Sequence, residues 1–327
     1  MTGVELTVVI PIRNEAPSLV ELHREFTDTL TAWGRAYEII IVDDGSTDES
    51  FDILTRLQAG DPHLRVIRFR RNFGQTAAFA AGFAHARGRL IVTSDGDLQN
   101  DPRDIPAMVA SLEGGYDIVC GWRKDRKDAF VSRRVPSTMA NALISVVTGV
   151  HLHDYGCSLK VFRAEIVKDM KLYGEMHRFL PAIASEQTSS IGEMVVNHRA
   201  RKYGQSKYGI GRTVRVVLDL LTVKFLLSYS TRPLQIFGLI GIAMGLAGAV
   251  ITGGLAVQRL REVASLDQHM PLLLLGILLI FTGFQLVTLG LLAELQVRTY
   301  HESQNKAIYV IREILQTQTA ELIASSR

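Results

Sequence analysis

Two aspartates separated by one glycine are the sharpest chemical feature of the sequence. They lie in Ser94-Asp-Gly-Asp-Leu-Gln99, directly after the apolar run 90–93. Two carboxylates with this spacing at a strand end can share a hard divalent cation, because Gly96 permits a tight turn. The ligands are oxygens, with no cysteine and histidine set nearby, so Mg²⁺ or Mn²⁺ is the expected cofactor at Asp95 and Asp97. Alone, an Asp-x-Asp motif is also typical of solvated turns.

A second acidic cluster, Asp43-Asp44-Gly-Ser46-Thr47-Asp48, follows another β-rich run. Its carboxylates can accept hydrogen bonds from a nucleobase N–H and from ribose hydroxyls. The alternative is structural: Ser46 or Thr47 caps a helix that begins near Asp48. The cluster by itself leaves both interpretations open.

The elements that position these aspartates alternate between β-rich runs and amphipathic stretches. Such alternation predicts an α/β fold with a mostly parallel sheet and helices on both faces. Ligands of such sheets bind outside the carboxyl ends of the strands, so both acidic clusters are expected on one rim. The predicted strands are Leu6–Ile12, Tyr37–Val42, Leu64–Arg68 and Leu90–Thr93, and the predicted helices are Pro17–Trp33, Asp48–Gly60 and Thr76–Arg87.

Composition excludes several classes of protein. The 327 residues are 47% hydrophobic, which is too apolar for a disordered chain. A formal net charge of +3 gives no argument for nucleic-acid binding, and none is expected. Cys120 and Cys157 are the two cysteines, too few for a disulfide framework, which indicates a reducing compartment. The N-terminal apolar run leads directly into a strand pattern, so a signal peptide and secretion are not expected.

Two uncharged apolar segments, 233–257 and 271–293, dominate the C-terminal third. If each segment is a helix, its length exceeds the thickness of a membrane's hydrocarbon core, which is roughly 30 Å. Buried core helices are the alternative, which the lack of a polar face disfavours. The short connector 258–270 predicts a hairpin with both soluble flanks on one side of the membrane.

The distribution of basic residues predicts on which side of the membrane the two soluble flanks lie. Many basic residues lie between Arg199 and Arg232, whereas the connector contains Arg259 and Arg261. The positive-inside tendency therefore predicts a multi-pass protein of the inner (cytoplasmic) membrane, with residues 1–210 forming a large soluble domain that faces the cytoplasm. Residues 211–232 are predicted to lie along the membrane surface as an amphipathic helix, with an ordinary core helix as the alternative.

The C-terminal segment, residues 294–327, is predicted to be a cytoplasmic tail containing an amphipathic helix, Ala307–Ile323.

Small residues recur every four positions in the first apolar segment and every seven in the second. This spacing favours close helix contact within the hairpin or between protomers of a homo-oligomer. These residues are Gly241, Gly245, Ala249 and Gly253 in the first span and Gly276, Gly283 and Gly290 in the second.

Together, four motifs in order are far more specific than any one of them. They are Val9-Ile-Pro-Ile-Arg-Asn-Glu15, the Asp43-Asp44-Gly-Ser stretch, Asn72-Phe-Gly-Gln75 and Asp95-Gly-Asp-Leu-Gln99. In these the chain resembles the family 2 glycosyltransferases with a GT-A fold. Within that family it resembles the polyprenyl-phosphate glycosyltransferases, relatives of dolichol-phosphate mannose synthase and bactoprenol glucosyltransferase, over nearly the whole chain.

The resemblance implies a role for each matching residue. Asp95 and Asp97 match the ligands of the metal and the diphosphate, and Asp154 matches an acidic residue close to the acceptor and the sugar. Arg13 stands where the family commonly has an aromatic residue. The implied nucleotide-sugar site comprises Pro11, Arg13, Glu15, Asp43, Asp44, Gln99 and Arg201, and the implied lipid-phosphate site comprises Arg123, Arg133 and Ser137.

The implied reaction is an inverting displacement. A phosphate oxygen of an undecaprenyl-type lipid attacks the anomeric carbon of a nucleotide-sugar, expected to be UDP-linked, and the nucleoside diphosphate leaves. The expected partners are the nucleotide-sugar donor, the polyprenyl phosphate acceptor and membrane lipids. The alternatives are a processive polysaccharide synthase, a nucleotidyltransferase and a catalytically idle scaffold that binds nucleotide-sugars. A synthase is disfavoured because the sequence has no Gln-x-x-Arg-Trp motif and two helices make a poor glycan channel.

Overall fold

The structure is a computed structural model of the chain. It describes residues 3–124, 141, 144–145, 148–168, 170, 172, 176–185, 187–200, 202–203, 233–260, 269–303 and 308–317, with side chains of the two long helices described over 237–260 and 269–292. The chain divides into two compact units, residues 1–223 with 307–327, and residues 224–306. The predicted interfacial helix at 211–232 lies outside the described residues, as do Arg133, Ser137 and Arg201.

An eight-stranded mixed sheet forms the first unit. Its spatial order is β7-β5-β6-β4-β1-β2-β3-β8. The central strands β4-β1-β2-β3 are all parallel, whereas β6 is antiparallel to both β4 and β5, and β8 is antiparallel to β3. The strands are β1 Leu6–Ile12, β2 Tyr37–Asp43, β3 Leu64–Phe69, β4 Leu90–Thr93, β5 Ile118–Trp122, β6 Lys160–Arg163, β7 Ile191–Val195 and β8 Ile311–Leu315.

The helices of this unit follow the strands in the predicted alternation, which confirms the α/β class. They are α1 Leu19–Trp33, α2 Ser50–Gly60, α3 Gln75–His85, α4 Ile105–Glu113, α5 Ala164–Lys168 and α6 Leu180–Ala184, with 3₁₀ turns at Pro102–Asp104 and Met176–Phe179. The second unit contains α7 Pro233–Leu260 and α8 Met270–Ser303.

Burial explains why the central strands form. Every residue of β1 and β2 is buried, as expected for strands covered on both faces. Helix α1 buries Leu19, Leu22, Phe26 and Leu30, one apolar stripe at helical spacing. Removing this apolar surface from water is the main favourable contribution to the folding of the domain.

The predicted helix at 307–323 is wrong, because residues 311–315 form β8. This strand pairs antiparallel with β3, and Arg68 Nη1 donates to Glu313 Oε1 at 3.0 Å. Tyr309 stacks on Phe69 with ring centroids 5.1 Å apart. The β8 side chains alternate between half-buried and exposed, the period of a strand. The unpaired backbone groups of β3 provide the partner that decides against a helix.

Helices α7 and α8 contain two stretches, Phe237–Leu260 and Met270–Leu292, that are long and apolar enough to cross a membrane. Only 17% and 11% of their most apolar windows is buried in the structure, which disfavours the core-helix alternative. The two helices pack against each other as the predicted hairpin requires.

Glycines allow this close packing, but not all of the predicted ones take part. A Cβ placed on Gly241 would lie 2.6 Å from the Gly283 carbonyl oxygen, and one on Gly283 would lie 2.8 Å from the Gly245 nitrogen. Gly248 approaches the Gly276 carbonyl in the same way, whereas a Cβ on Gly253 would meet open space. Strict four-residue spacing drifts around a helix with 3.6 residues per turn, so the contact follows positions 241, 245 and 248 instead of continuing to 253.

Candidate active site

Both acidic clusters lie at the carboxyl ends of parallel strands on the same edge of the sheet, as predicted. Strand β1 lies between β2 and β4, with Ile12 opposite Asp43 and Val9 opposite Thr93. The chain leaves the sheet at these ends, and the polar loops that follow share one rim. This rim is where an open α/β sheet binds its ligands.

Gly96 shapes the turn that carries Asp95 and Asp97. A Cβ at this position would lie 2.6 Å from Ile12 Cγ2, so only glycine fits without displacing the core. Ser18 Oγ lies 3.1 Å from the Gly96 carbonyl oxygen, which fixes the peptide. Leu98 anchors the other side of the turn: it is buried and has a φ of 62°. The two aspartates are left half-buried at the edge of the site.

Asp95 and Asp97 suit a divalent cation that shares its coordination with a substrate. Gln75, the first residue of α3, donates from Nε2 to Asp95 Oδ1 at 2.7 Å. No cluster of three His, Cys, Asp or Glu side chains that could hold a metal is found among the described residues. Two carboxylates fit Mg²⁺ or Mn²⁺, ions that commonly keep several waters and complete their shell with substrate phosphates.

Asp44 has both carboxylate oxygens occupied by the backbone. Oδ1 accepts from Phe73 N at 2.6 Å, and Oδ2 accepts from Gly74 N at 3.0 Å. Burial raises the pKa of Asp44, although these hydrogen bonds and the nearby positive charge of Arg13 act against the rise. Asp44 therefore holds the loop before α3, a structural role that sequence reasoning missed, and its nucleotide contact stays a prediction.

Asp43 differs from its neighbour in having an oxygen without a hydrogen bond. Its Oδ1 accepts from Ser46 N at 2.8 Å. Its Oδ2 is buried and has no hydrogen-bond partner in the described structure, and Arg68 Nε lies 3.9 Å away. A buried acceptor without a donor is costly, and a ligand N–H or O–H would relieve that cost.

Neither Ser46 nor Thr47 caps α2, so the capping alternative is wrong for both. Ser46 Oγ accepts from Asn14 N at 2.9 Å, and Thr47 N donates to Asn14 Oδ1 at 2.8 Å. Asp48 instead accepts from Ser50 N, at 3.0 Å. Asn14, with a φ of 55°, thus ties the loop after β1 to the loop after β2.

The other residues of the predicted nucleotide segment lie on the same rim. Pro11 is buried in β1 opposite Val42, Arg13 is exposed, and Glu15 is half-buried. Gln99 lies beside Asp97, since Gln99 N donates to Asp97 Oδ1 at 3.2 Å.

Asp154 and Arg123 form a bidentate ion pair. Arg123 Nε lies 2.7 Å from Asp154 Oδ2, and Nη2 lies 2.9 Å from Oδ1. The side chains are only 12% and 8% exposed. Burial acts to raise the pKa of Asp154, but the Arg123 hydrogen bonds and charge outweigh it, so the pKa is lowered. Burial acts to lower the pKa of Arg123, but the bonds to Asp154 raise it overall. The residue predicted for the sugar and a residue predicted for the lipid phosphate therefore act as one unit.

Glu193, which sequence reasoning missed, positions this pair from β7. Its Oε1 accepts from Asp154 N at 2.9 Å, and its Oε2 lies 2.7 Å from His153 Nδ1. His153 stacks on Trp122 with ring centroids 4.3 Å apart. Glu193 lies 39 positions from Asp154 in the sequence, and no motif connects the two residues. Their contact becomes visible only in the fold, where β7 pairs in parallel with β5.

A pocket beside Asp95 adds three residues that sequence reasoning also missed. It is lined by Lys160, His177 and Arg178, together with Gln75 and uncharged residues, and its empty volume is about 480 Å³, open solvent included. Lys160 begins β6 and is 2% exposed. A lysine at the first position of a short strand gives no sequence signal that it faces a pocket.

Comparison with known proteins defines the class. The family model described as "Glycosyl transferase family 2" matches residues 7–171, which contain both acidic clusters and Asp154. The chain belongs to this family and is a glycosyltransferase, so the resemblance found in the sequence is confirmed.

Two curated relatives extend over nearly the whole chain. A dodecaprenyl-phosphate galacturonate synthase of Rhizobium johnstonii is 46% identical over 97% of this chain and 95% of its own length. An undecaprenyl-phosphate 4-deoxy-4-formamido-L-arabinose transferase of Shewanella sediminis is 39% identical over 95% and 92%. Both are named as polyprenyl-phosphate sugar transferases, which confirms the narrower resemblance.

Solved structures show the same fold at low identity. Glucosyl-3-phosphoglycerate synthase from Mycobacterium tuberculosis, crystallised with Mn²⁺ and UDP-glucose, has a TM-score of 0.55 and 18% identity over 68% of this chain and 79% of that chain. Mannosyl-3-phosphoglycerate synthase from Rubrobacter xylanophilus has a TM-score of 0.55 and 16% identity over 68% and 74%. These likenesses support the GT-A-type fold.

Proposed function

We propose that the protein transfers a sugar, with inversion, from a UDP-linked donor to a polyprenyl phosphate at the cytoplasmic face of the membrane. The observation that carries this proposal is the pair of half-buried carboxylates at the rim, Asp95 and Asp97, in a chain that also contains two membrane-length apolar helices. A soluble donor and a lipid acceptor require these two parts together. The relatives' names support the acceptor class, and they differ in the sugar.

The leaving group determines what the rim must provide. A phosphate monoester has a second pKa near 6, so the attacking oxygen is largely anionic at pH 7 and needs little general-base assistance. The harder task is to stabilise negative charge on the departing nucleoside diphosphate. Asp95 and Asp97 would hold Mg²⁺ or Mn²⁺, which when bound supplies positive charge to that diphosphate. Gln75 orients Asp95 for this role through its 2.7 Å hydrogen bond.

Asp154 would act as a positioning group and not as a strong base. Its carboxylate is engaged by Arg123 at 2.7 and 2.9 Å, and its pKa is lowered despite burial. A low pKa makes it a poor proton acceptor at neutral pH. Its remaining acceptor capacity can orient the sugar or, through Arg123, the acceptor phosphate.

The acceptor would be held by arginines near the membrane. Arg123, Arg133 and Ser137 are proposed to bind the lipid phosphate, since a guanidinium matches a phosphate bidentately. Residues 233–257 and 271–293 would form the membrane hairpin and residues 211–232 the interfacial helix, with 1–210 and 294–327 on the cytoplasmic side. Association of protomers through the glycine-bearing helices is part of the same proposal.

The decisive experiment incubates purified protein, Mg²⁺ and undecaprenyl phosphate with a panel of UDP- and GDP-sugars and follows lipid-linked product by mass. We expect one sugar per lipid phosphate and release of a nucleoside diphosphate. Release of pyrophosphate would identify a nucleotidyltransferase, and products with growing glycan length would identify a processive synthase. Donor binding without any product would identify a scaffold.

The acceptor assignment has its own test in Arg133→Ala. We expect the apparent KM for the lipid phosphate to rise more than the KM for the nucleotide-sugar, because the proposed role of that cation is to bind the acceptor phosphate. Arg56→Ala, at an exposed position of α2, is the matched control and should change neither constant. Equal increases in both constants for Arg133→Ala would remove the assignment.

A further inference from the structure

Three charged side chains form a row across neighbouring strands at one edge of the sheet. In the strand register, Asp43 on β2 lies opposite Arg68 on β3, and Arg68 lies opposite Glu313 on β8. Side chains of residues that lie opposite each other project from the same face of a sheet. One cation therefore lies between two carboxylates, and the inner carboxylate, Asp43, belongs to the proposed nucleotide site.

Arg68 is hydrogen-bonded to the outer carboxylate and not to the inner one. Its Nη1 donates to Glu313 Oε1 at 3.0 Å, whereas its Nε lies 3.9 Å from Asp43 Oδ2, which is too far for a hydrogen bond. The guanidinium also lies over Phe51 of α2, with Cζ 3.8 Å from the ring centroid. These contacts hold the charged end of Arg68 at a position from which it does not donate to Asp43 Oδ2.

The position of Arg68 matters because Asp43 Oδ2 accepts no hydrogen bond in the described structure. A movement of about 1 Å would bring Arg68 Nε within hydrogen-bond distance of this oxygen. Hydrogen bonds between a guanidinium and a carboxylate are among the strong ones in proteins, so Arg68 would be expected to form one if it had no other anionic partner. Glu313 provides that other partner.

Arg68 also lies where it can affect access to Asp43 Oδ2. Since this oxygen is buried, an N–H of a ligand reaches it only after a side chain around it shifts. Arg68 lies next to the oxygen, and its side chain is 22% exposed. A residue that fixes Arg68 therefore affects both the access to Oδ2 and its hydrogen bonding.

We propose that Glu313 is a positioning residue of the nucleotide site. It holds Arg68 away from Asp43, so that Asp43 Oδ2 accepts an N–H of the donor's nucleobase instead of an N–H of Arg68. This inference rests on the proposed function, since it takes Asp43 as an acceptor for the nucleobase. It gives β8, the strand that follows the second membrane-length helix in the chain, a part in donor binding.

The alternative is that Arg68 itself donates to the base or to a phosphate of the nucleotide. The two roles predict different results when the cation is removed. If Arg68 competes with the nucleobase for Asp43, its loss leaves nucleotide binding nearly unchanged and cancels the effect of a substitution at Glu313. If Arg68 binds the nucleotide, its loss weakens binding and cancels nothing.

The test measures dissociation constants for UDP and for GDP with Mg²⁺ by isothermal titration calorimetry, using the full-length protein in lipid nanodiscs. Glu313→Gln removes the charge that holds Arg68 and keeps the size of the side chain. We expect it to raise the dissociation constant of the nucleotide that wild type binds more tightly by about tenfold, the lower end for a hydrogen bond to a charged group. Loss of a negative charge alone would tighten the binding of an anionic nucleotide, so the sign of the change separates the two explanations.

Arg68→Met supplies the diagnostic second step, because it removes the cation and keeps most of the aliphatic chain. Alone, it should change the dissociation constant by less than about threefold. Combined with Glu313→Gln, it should restore the dissociation constant to within about threefold of wild type. Asp43→Asn combined with Glu313→Gln should bind no more weakly than Asp43→Asn alone, since both changes act on one oxygen.

Two matched controls lie on β8. Gln316→Ala removes a different contact between β3 and β8, since Gln316 Oε1 accepts from Arg65 Nε at 3.2 Å. Arg312→Gln removes an exposed charge from the same strand. Both controls should keep the wild-type dissociation constants within about threefold. Glu313→Thr also removes the carboxylate and suits a strand, so it should reproduce the result of Glu313→Gln and replaces that variant if it does not fold.

Three results would overturn the inference: wild-type binding by the Glu313 variants, weakened binding that Arg68→Met does not restore, and equal weakening by Gln316→Ala. The second result would make Arg68 a direct ligand of the nucleotide, and the third would assign the effect to a loosening of β8 as a whole. All three leave the proposed transferase function standing. If wild type binds neither UDP nor GDP and no donor gives lipid-linked product, that function is overturned and the inference with it.

Discussion

The two acidic pairs of the rim differ in what occupies their oxygens. Asp43 and Asp44 follow one another at the end of β2, and both are buried. Asp95 and Asp97 flank a glycine after β4, and both remain half-exposed. Adjacent residues in extended chain point to opposite sides, which directs the two β2 aspartates to different partners.

This difference separates carboxylates that hold the loops of the rim from the carboxylates proposed to face the substrate. Both oxygens of Asp44 accept backbone N–H groups, and one oxygen of Asp43 does the same. Asp95 accepts from the side-chain amide of Gln75, and Asp97 accepts from Gln99 N through one oxygen. An aspartate at a strand end is therefore committed to the fold when both of its oxygens accept backbone N–H groups, as in Asp44.

The largest effect is expected for Asp97→Asn. Removing one of two carboxylates from the proposed metal site should lower sugar transfer by about 10³-fold or more, because a metal supplies several kcal/mol of charge stabilisation. Membrane insertion and the thermal unfolding midpoint (Tm) should stay unchanged. Lipid-linked product measured over time checks the first point, and Asp52→Asn on the exposed face of α2 is the control. Transfer at near-normal rates would show that this pair does not assist departure of the diphosphate.

Asp44→Asn should act on stability instead. Its amide would present N–H donors to Phe73 N or Gly74 N, where the carboxylate now accepts from both. Leaving a buried backbone N–H unsatisfied costs about 1–3 kcal/mol, so Tm should fall clearly below that of Asp97→Asn. Thermal unfolding of both purified variants makes the comparison directly. If Tm is unchanged and the KM for the nucleotide-sugar rises, Asp44 contacts the substrate instead of stabilising the loop before α3.

The strands that the sequence predicted share one property, which is burial. Strands β1 to β4 are mostly buried runs that alternate with amphipathic helices, so their existence and parallel order could be predicted. Strand β8 could not, because Ile311, Ile314 and Leu315 fit a helical pattern equally well until β3 offers its edge. Short strands such as β6 lack a pattern of their own.

The proposed site residues show a related limit. Residue type and spacing singled out Asp95 and Asp97, whereas Asp154 was singled out only by the resemblance to the family. The contacts that set their roles come from distant segments: Glu193 reaches Asp154 across 39 positions, and Gln75 reaches Asp95 across 20. Lys160 and Arg178 gain their meaning only from the pocket that they share.

Asp43→Asn should give a smaller, selective effect. The substitution can keep the bond from Ser46 N through the amide oxygen while replacing the unpartnered Oδ2 with a donor. If Oδ2 accepts from the nucleotide, the KM for the nucleotide-sugar should rise about tenfold, the scale of one hydrogen bond of about 1 kcal/mol or slightly more. The KM for the lipid phosphate and the Tm should change little. Steady-state kinetics with each substrate varied in turn checks this, and a drop in Tm without a KM change would make Asp43 structural like Asp44.

The smallest effect is a pH dependence of stability, which extends the comparison to Asp101, a further carboxylate near the rim. Burial acts to raise the pKa of Asp101, but Arg103 and Arg199 outweigh it and lower the pKa from 3.8 to about 2. Since the folded-state pKa is depressed, this carboxylate stabilises the protein above about pH 4 and loses that contribution as pH falls toward 2. After allowance for solvent screening, we expect about 1 kcal/mol. The Tm difference between wild type and Asp101→Asn should therefore shrink on going from pH 5 to pH 3. A difference that is constant with pH would mean that the two arginines do not stabilise the Asp101 carboxylate, and that partnered carboxylates near this rim need not stabilise the fold.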